Sequence, residues 1–157
     1  MRIGFGYDSH RFAEGRRLVL GGVPFPGETG LAGHSDADVL IHAIIDALLG
    51  AAALGNIGSH FPDTDPKWKD ADSARLLSSV AREIAAAGFR IVNIDATVIC
   101  ERPKIGPKAE EIRSRLARLL DLAVSQISVK GKTNEKMDDV GAGLGIEVHA
   151  VCLIESF

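Results

Sequence analysis

Apolar residues recur first at every second position and then at helical spacing, and the two periods alternate along the chain. Arg2 to Tyr7 alternates around glycines and reads as a strand ending at Asp8, and Leu18 to Val23 is a second short strand. A Pro/Gly-rich loop follows through Gly33. From Asp38 to Leu54, Val39, Ile41, Ile44, Ile45, Leu48 and Leu49 cover much of a helix surface, which predicts a largely buried helix. Asp36 or Asp38 is its expected N-cap. Gly55 to Asp70 has no period and predicts a long polar loop, a class that is usually functional or mobile. A second helix is expected over 72–87, with Leu77, Val80, Ala81 and Ile84 inward and Gly88 as its stop. Ile91 to Cys100 reads as a strand. Pro107 opens a third helix to about Leu120, with Ile112, Leu116 and Leu119 inward and the arginines outward. Ile127 to Lys132 and Ile146 to Ile154 are strands flanking a glycine-rich turn. Strands and helices alternate without a repeat, as in an α/β layer whose helices cover one sheet face. The other face then requires a partner surface, so an oligomer is expected.

At 157 residues, 46% hydrophobic and 25% charged, the chain matches one ordinary soluble domain. The net charge of −3 provides no broad basic field, which argues against nucleic acid as a partner. An anionic substrate must therefore be held by local devices: metals, helix N-termini and a few lysines. Cys100 and Cys152 sit in apolar runs without metal-site spacing and are expected as reduced core residues of a cytoplasmic protein. The strand pattern starts at Met1, so no signal or transit peptide is expected. The run 39–54 carries His42 and Asp46, so no membrane span is expected either.

Asp8, His10 and His42 carry the strongest chemical signal. One carboxylate and two imidazoles are a three-ligand set for a divalent ion that leaves a position open for chemistry. The Asp8-Ser9-His10 spacing puts both ligand side chains on one side of an extended segment. Asp8 and His10 would equally suit a solvated strand end. A histidine inside an apolar helix must have its ring nitrogens satisfied. His42 shares a helical face with Asp38 and Asp46, either of which would bond it as a buried structural residue or fix its tautomer as a ligand. Two nitrogens and one oxygen suit Zn²⁺ best, with Mn²⁺ or Fe²⁺ possible. His34-Ser35 stands before a helix start, where free N–H groups favour anions or simply a cap. The Lys130 to Glu135 segment combines two lysines, hydroxyl and amide groups and a carboxylate, which makes sense if Glu135 holds a second hard cation such as Mg²⁺. It lacks the upstream glycines and following helix of a P-loop. Arg102 to Pro107 is a rigid loop whose backbone would edge onto a base.

Together these motifs resemble the 2-C-methyl-D-erythritol 2,4-cyclodiphosphate synthase family of non-mevalonate isoprenoid biosynthesis, nearly end to end. The resemblance is carried by Arg2 to His10, Gly21-Gly22-Val23, Gly33 to Val39, Asp46 to Gly55, Phe61 to Pro66, Arg102-Pro103-Lys104 and Thr133-Asn134-Glu135. It implies one α/β (α+β) domain over 1–157, with a mixed four-stranded sheet, helices on one face and the other face packed in a homotrimer. Active sites would lie between subunits, and no fused cytidylyltransferase is expected. The resemblance implies Zn²⁺ on Asp8, His10 and His42, and Mg²⁺ or Mn²⁺ on Glu135. His34 and Thr133 match the positions credited with stabilising the transition state. Asp8, Ser9, His10, His34, Ser35, Asn56, Ile57 and Gly58 would contact substrate, as would Phe61, Pro62, Asp63, Thr64 and Asp65. Cys100, Glu101, Arg102, Pro103, Lys104, Ile105 and Gly106 would hold the cytidine, and Lys132, Thr133, Asn134 and Glu135 the diphosphate.

The implied reaction is attack of the 2-phosphate of 4-diphosphocytidyl-2-C-methyl-D-erythritol 2-phosphate on its β-phosphorus, expelling CMP. A metal-dependent phosphohydrolase and a non-catalytic metal- or nucleotide-binding trimer are the competing readings. Four positions depart from the family pattern. Asn56 replaces a usual aspartate, Lys132 a usual threonine, and Ala142 and Leu144 an arginine and a glutamate of a Gly-Arg-Gly-Glu-Gly stretch near the trimer axis. That arginine is associated with an isoprenoid diphosphate ligand, and its absence predicts loss of that binding.

Overall fold

The computed structural model describes residues Met1–Phe157. Its elements are β1 (Arg2–Leu20), β2 (Val23–Leu31), α1 (Val39–Ala52), α2 (Ile57–His60), α3 (Ser73–Ala86), β3 (Phe89–Ile99), α4 (Ala109–Leu120), β4 (Ile127–Lys132), α5 (Asp138–Gly141) and β5 (Gly145–Ser156). Single 3-10 turns lie at Pro66–Trp68, Gly106–Lys108 and Val124–Gln126. The sheet order is β2-β1-β5-β3-β4, antiparallel except for β3 and β4. The sheet is mixed, as expected, but it has five strands rather than four.

The difference lies in β1, which does not end at Asp8. Residues 2–11 pair with β5, and the strand continues so that Phe12 to Leu20 pairs with β2. Gly21 and Gly22, both at positive φ, make the two-residue turn between Leu20 and Val23. Pro24 and Pro26 gave this segment the look of a loop. They are tolerated because β2 is an edge strand, whose outer side needs no N–H.

α1 is buried at eleven of its fourteen residues and starts on Asp38, whose carboxylate accepts the Ile41 N–H at 3.0 Å. α1, α3 and α4 cover one face of the sheet. There Ile94, Ala96, Val98, Ile146, Val148, Ala150, Cys152 and Ile154 join the helices in one apolar core. Both cysteines are buried and unpaired, and burial pushes their thiol pKa values up to about 11. Arg113, expected outward, instead reaches the Ile127 and Val124 carbonyls at 2.7 and 3.0 Å and ties α4 to the entry of β4. The opposite sheet face is bare of helices, and Ile3, Phe5, Tyr7 and Val151 are exposed on it. No helix is long and apolar enough to cross a membrane.

The segment 55–72 is more ordered than its lack of period suggests. Asn56 and Ser59 form a capping box on α2, and Asp65 and Asp72 cap the two helical starts that follow. Phe61 packs edge-on against Trp68 at 5.0 Å between centroids.

Candidate active site

Alternation along β1 turns Gly4, Gly6, Asp8 and His10 toward the helices. The strand and α1 lie so close that a Cβ at Gly6 would stand 1.9 Å from the Ala43 carbonyl oxygen, and one at Gly4 1.9 Å from that of Ala47. This contact carries Asp8 up to the first turn of α1, where His42 projects. Asp8 Oδ2 lies 3.1 Å from His42 Nδ1 and 3.0 Å from His10 Nε2. One donor atom from each of the three residues lies within 4.8 Å of the others, a spacing that could hold a divalent ion.

The outer ring nitrogens are engaged elsewhere. His10 Nδ1 donates to the Ala32 carbonyl at 2.5 Å, so in the neutral ring the lone pair is on Nε2. That Nε2 is buried and close to Asp8 without a hydrogen bond, an orphaned atom of the kind a metal would satisfy. His42 Nε2 faces Ser73 Oγ at 2.9 Å and Ser35 Oγ at 3.2 Å. Neither the Asp38 nor the Asp46 carboxylate bonds the His42 ring. Asp38 is drawn away to the Gly21 and Gly22 amides at 2.9 and 2.7 Å, and Asp46 accepts the Ile57 N–H at 2.7 Å. Charge reinforces the cluster. Burial pushes the Asp8 carboxyl upward, but the two imidazoles set against it at 3.0 and 3.1 Å outweigh that and hold the pKa at about 2. Burial also works against the His10 imidazolium, yet Asp8 prevails and keeps its pKa above the ordinary value.

A cavity of about 430 Å³ opens beside the cluster, lined by His34, Ser35, Ile57, Gly58, Phe61 and Asp63 among others. Arg16, which the sequence did not single out, pins its rim by donating to the Gly33 carbonyl at 2.8 Å and to that of Ser35. Asn56 uses its side-chain oxygen to cap α2 through the Ser59 N–H at 3.0 Å, so its amide NH₂ is the group left unbonded. Pro62, Thr64 and Asp65 do not line this cavity but lie in the loop between Phe61 and Trp68, with Asp65 tied to Lys67 at 3.0 Å. Ser9 alternates to the other face of β1 and is exposed.

The remaining expected residues gather elsewhere. Cys100, Pro103, Lys104, Ile105, Gly106, Lys132 and Thr133 line a second cavity of about 300 Å³ at the ends of β3 and β4. Asp8 and Gly131 lie on one cross-strand row through Val148 and Val98. Three strand spacings, roughly 14 Å, therefore part the two cavities, and they share no lining residue. Arg102 is exposed beside the second cavity. Glu101 braces the loop after β4 by accepting the Asn134 N–H at 3.1 Å. Thr133 Oγ1 donates to Glu135 at 2.8 Å, and Glu135, at positive φ, stands outside the Asp8, His10 and His42 cluster. Lys130 does not join this group: it turns to the bare sheet face and pairs with Asp95 at 2.6 Å.

The YgbB family profile matches residues 1–155. The chain is 56% identical over 156 residues to the 2-C-methyl-D-erythritol 2,4-cyclodiphosphate synthase of Salinibacter ruber, covering 99% of each. It is 59% identical over 152 residues to the bifunctional enzyme IspD/IspF of an Anaeromyxobacter species, covering 97% of this chain but only 39% of that protein's length. A solved 2C-methyl-D-erythritol-2,4-cyclodiphosphate synthase in a CDP-bound form matches with a TM-score of 0.90 at 39% identity, over 98% of this chain and 100% of that one.

Proposed function

The chain belongs to the YgbB family, and from that membership we propose that it is a phosphorus-oxygen lyase of the non-mevalonate pathway. It converts 4-diphosphocytidyl-2-C-methyl-D-erythritol 2-phosphate to 2-C-methyl-D-erythritol 2,4-cyclodiphosphate and CMP. The observation that carries this reading is the convergence of Asp8, His10 and His42 beside a 430 Å³ cavity, in a chain 56% identical to such a synthase along its length.

The donor set, two imidazole nitrogens and a carboxylate, fits Zn²⁺, and Glu135 is the residue assigned to Mg²⁺ or Mn²⁺. Bound there, such ions would polarise phosphate oxygens and neutralise their charge. The rest falls to the chain's own groups. A phosphate monoester with its second pKa near ~6 is already largely ionised at neutral pH, so no strong general base is required. The obstacle is bringing one anion up to another. Lys132 and Lys104 supply positive charge at the second cavity, and His34, at the first, and Thr133, at the second, are assigned to steady the reacting phosphates. Asp63, Gly58 and the Asn56 amide are assigned to the methylerythritol hydroxyls, and the 100–106 loop to the cytosine. Holding both phosphates in one molecule in line adds the advantage of an intramolecular reaction.

One chain presents the two cavities apart, which favours sites completed by a neighbouring copy. The bare sheet face, with Phe5 61% and Ile3 73% exposed, suits packing in a homotrimer. Sedimentation equilibrium should then give three chains of 16.7 kDa each. We place the enzyme in the cytoplasm, where its two free buried thiols stay reduced.

The test is incubation with the cytidyl substrate and Mg²⁺ in ¹⁸O-water. CMP release with a cyclic diphosphate free of solvent oxygen is expected. No CMP, or a product carrying ¹⁸O as hydrolysis would give, refutes the assignment.

A further inference from the structure

His42 is the ligand whose outward ring nitrogen meets side chains rather than the backbone. Ser73, fully buried at the first residue of α3, places its Oγ 2.9 Å from His42 Nε2. The same hydroxyl donates to Asp36 Oδ1, while Asp36 Oδ2 accepts the Ser73 backbone N–H at 3.0 Å. A hydroxyl has one hydrogen. With that hydrogen committed to a carboxylate, Ser73 Oγ meets the imidazole only as an acceptor, so Nε2 must carry the ring proton. In the neutral ring, His42 Nδ1, 3.1 Å from Asp8, is then the nitrogen with the lone pair.

We propose that Asp36 and Ser73 are a positioning pair that fixes the tautomer of His42 and thereby presents Nδ1 as a ligand. The proposal rests on the reading of Asp8, His10 and His42 as a metal site. Ser35 Oγ, 3.2 Å from the same nitrogen, does not set the tautomer. It accepts the Ala37 N–H at 3.2 Å, and its own hydrogen is not committed to a carboxylate, so it serves either form of the ring. The pair also explains why the loop before α1 is tied to the start of α3. Asp36 receives both the hydroxyl and the amide of Ser73, so the acceptor facing His42 is held from two directions.

The variants reverse the logic in different ways. In Asp36→Asn, the new amide NH₂ would donate to Ser73 Oγ, freeing the hydroxyl hydrogen for Nε2 and moving the ring proton to Nδ1. Ser73→Ala removes the acceptor, and Ser73→Thr keeps it. The protonated nitrogen of His42 is read in metal-free protein from ring ¹⁵N shifts in long-range ¹H–¹⁵N spectra. Zinc affinity is read by chelator competition, and thermal melts verify folding.

We expect Nε2–H in the parent and a shift toward Nδ1–H in Asp36→Asn. Zinc binding should weaken about 10–100-fold in Asp36→Asn and Ser73→Ala and return to near parental strength in Ser73→Thr. A merely structural role would lower the melting temperature without moving the ring shifts. An Nδ1–H parent, or Ser73→Ala and Asp36→Asn proteins that bind zinc within about threefold of it, overturns the proposal. A parent that takes up no zinc overturns the metal reading instead.

Discussion

The closeness of β1 and α1 makes Gly6→Ala a sharp test of how the fold builds the site. The added methyl would stand 1.9 Å from the Ala43 carbonyl oxygen and 2.6 Å from the Ala47 nitrogen, both helix backbone. Ordinary contact needs about 3.5 Å, so the strand and helix must part by about 1.5 Å or distort. Metal sites tolerate ligand displacements of about 0.2 Å. Asp8 follows Gly6 by two residues on the same strand face, and His42 adjoins Ala43, so the separation falls directly between two ligands.

Zinc affinity should therefore drop by more than about 100-fold, beyond what loss of an outer hydrogen bond to a ligand produces. Overpacking against backbone should cost roughly 3 kcal/mol. For a chain of this size that lowers Tm by about 6–12 °C. Chelator competition reads the affinity, and thermal unfolding in EDTA reads the stability without the metal. Gly50→Ala is the control. Its methyl would meet nothing closer than the Phe5 carbonyl oxygen at 3.9 Å. It replaces a glycine inside a helix, so it should leave zinc binding intact and stabilise by about 0.5–1 kcal/mol. A Gly6→Ala protein with parental zinc affinity and Tm would refute the claim that this contact sets the ligand geometry.

Three further outcomes are expected. In metal-free protein, Asp8 with its pKa at about 2 contributes stability above its ordinary 3.8, about 2 kcal/mol, which is lost as pH falls through 2. His10, with a raised pKa, contributes below its ordinary 6.5 and loses that contribution as pH rises through the raised value. Urea unfolding in EDTA from pH 2 to 8 should show both limbs, and Asp8→Asn should flatten both; parallel profiles for the two proteins would contradict this. Asp38→Ala strands the Gly21, Gly22 and Ile41 amides in the interior and should cost about 3 kcal/mol or more in denaturant titrations, with a loss under 1 kcal/mol counting against it. Ala142 and Leu144 offer no charge for a diphosphate, so calorimetric titration with geranyl diphosphate should show no tight binding, and a specific submicromolar isotherm would reverse that conclusion.

The long periodic segments were legible because burial on one side leaves a mark at fixed spacing. α1, α3 and α4 lie within two residues of their expected ends. β2 was not, because edge strands are excused from the rules that Pro24 and Pro26 break. The order within 55–72 was hidden too, since capping and one aromatic pair organise it without a repeat. The ligand triplet showed in the Asp8-Ser9-His10 spacing and in a histidine out of place on an apolar helix. The partner of His42 did not show. Helical neighbours Asp38 and Asp46 were the natural candidates, but each is claimed by backbone amides of another segment. The true acceptor, Ser73, is brought in from a different helix thirty-one residues away, a pairing that no local spacing encodes.

His10 offers the nitrogen at the far tip of its ring and His42 the one adjoining its Cγ, so the socket is lopsided. Amide stand-ins must respect that difference in reach. Glutamine can put an oxygen where His10 Nε2 sits, and asparagine can do so for His42 Nδ1, whereas exchanging the two leaves one arm too short and the other too long. A copy of this centre grafted onto another scaffold would need an elongated arm from a strand and a stubby one from a helix.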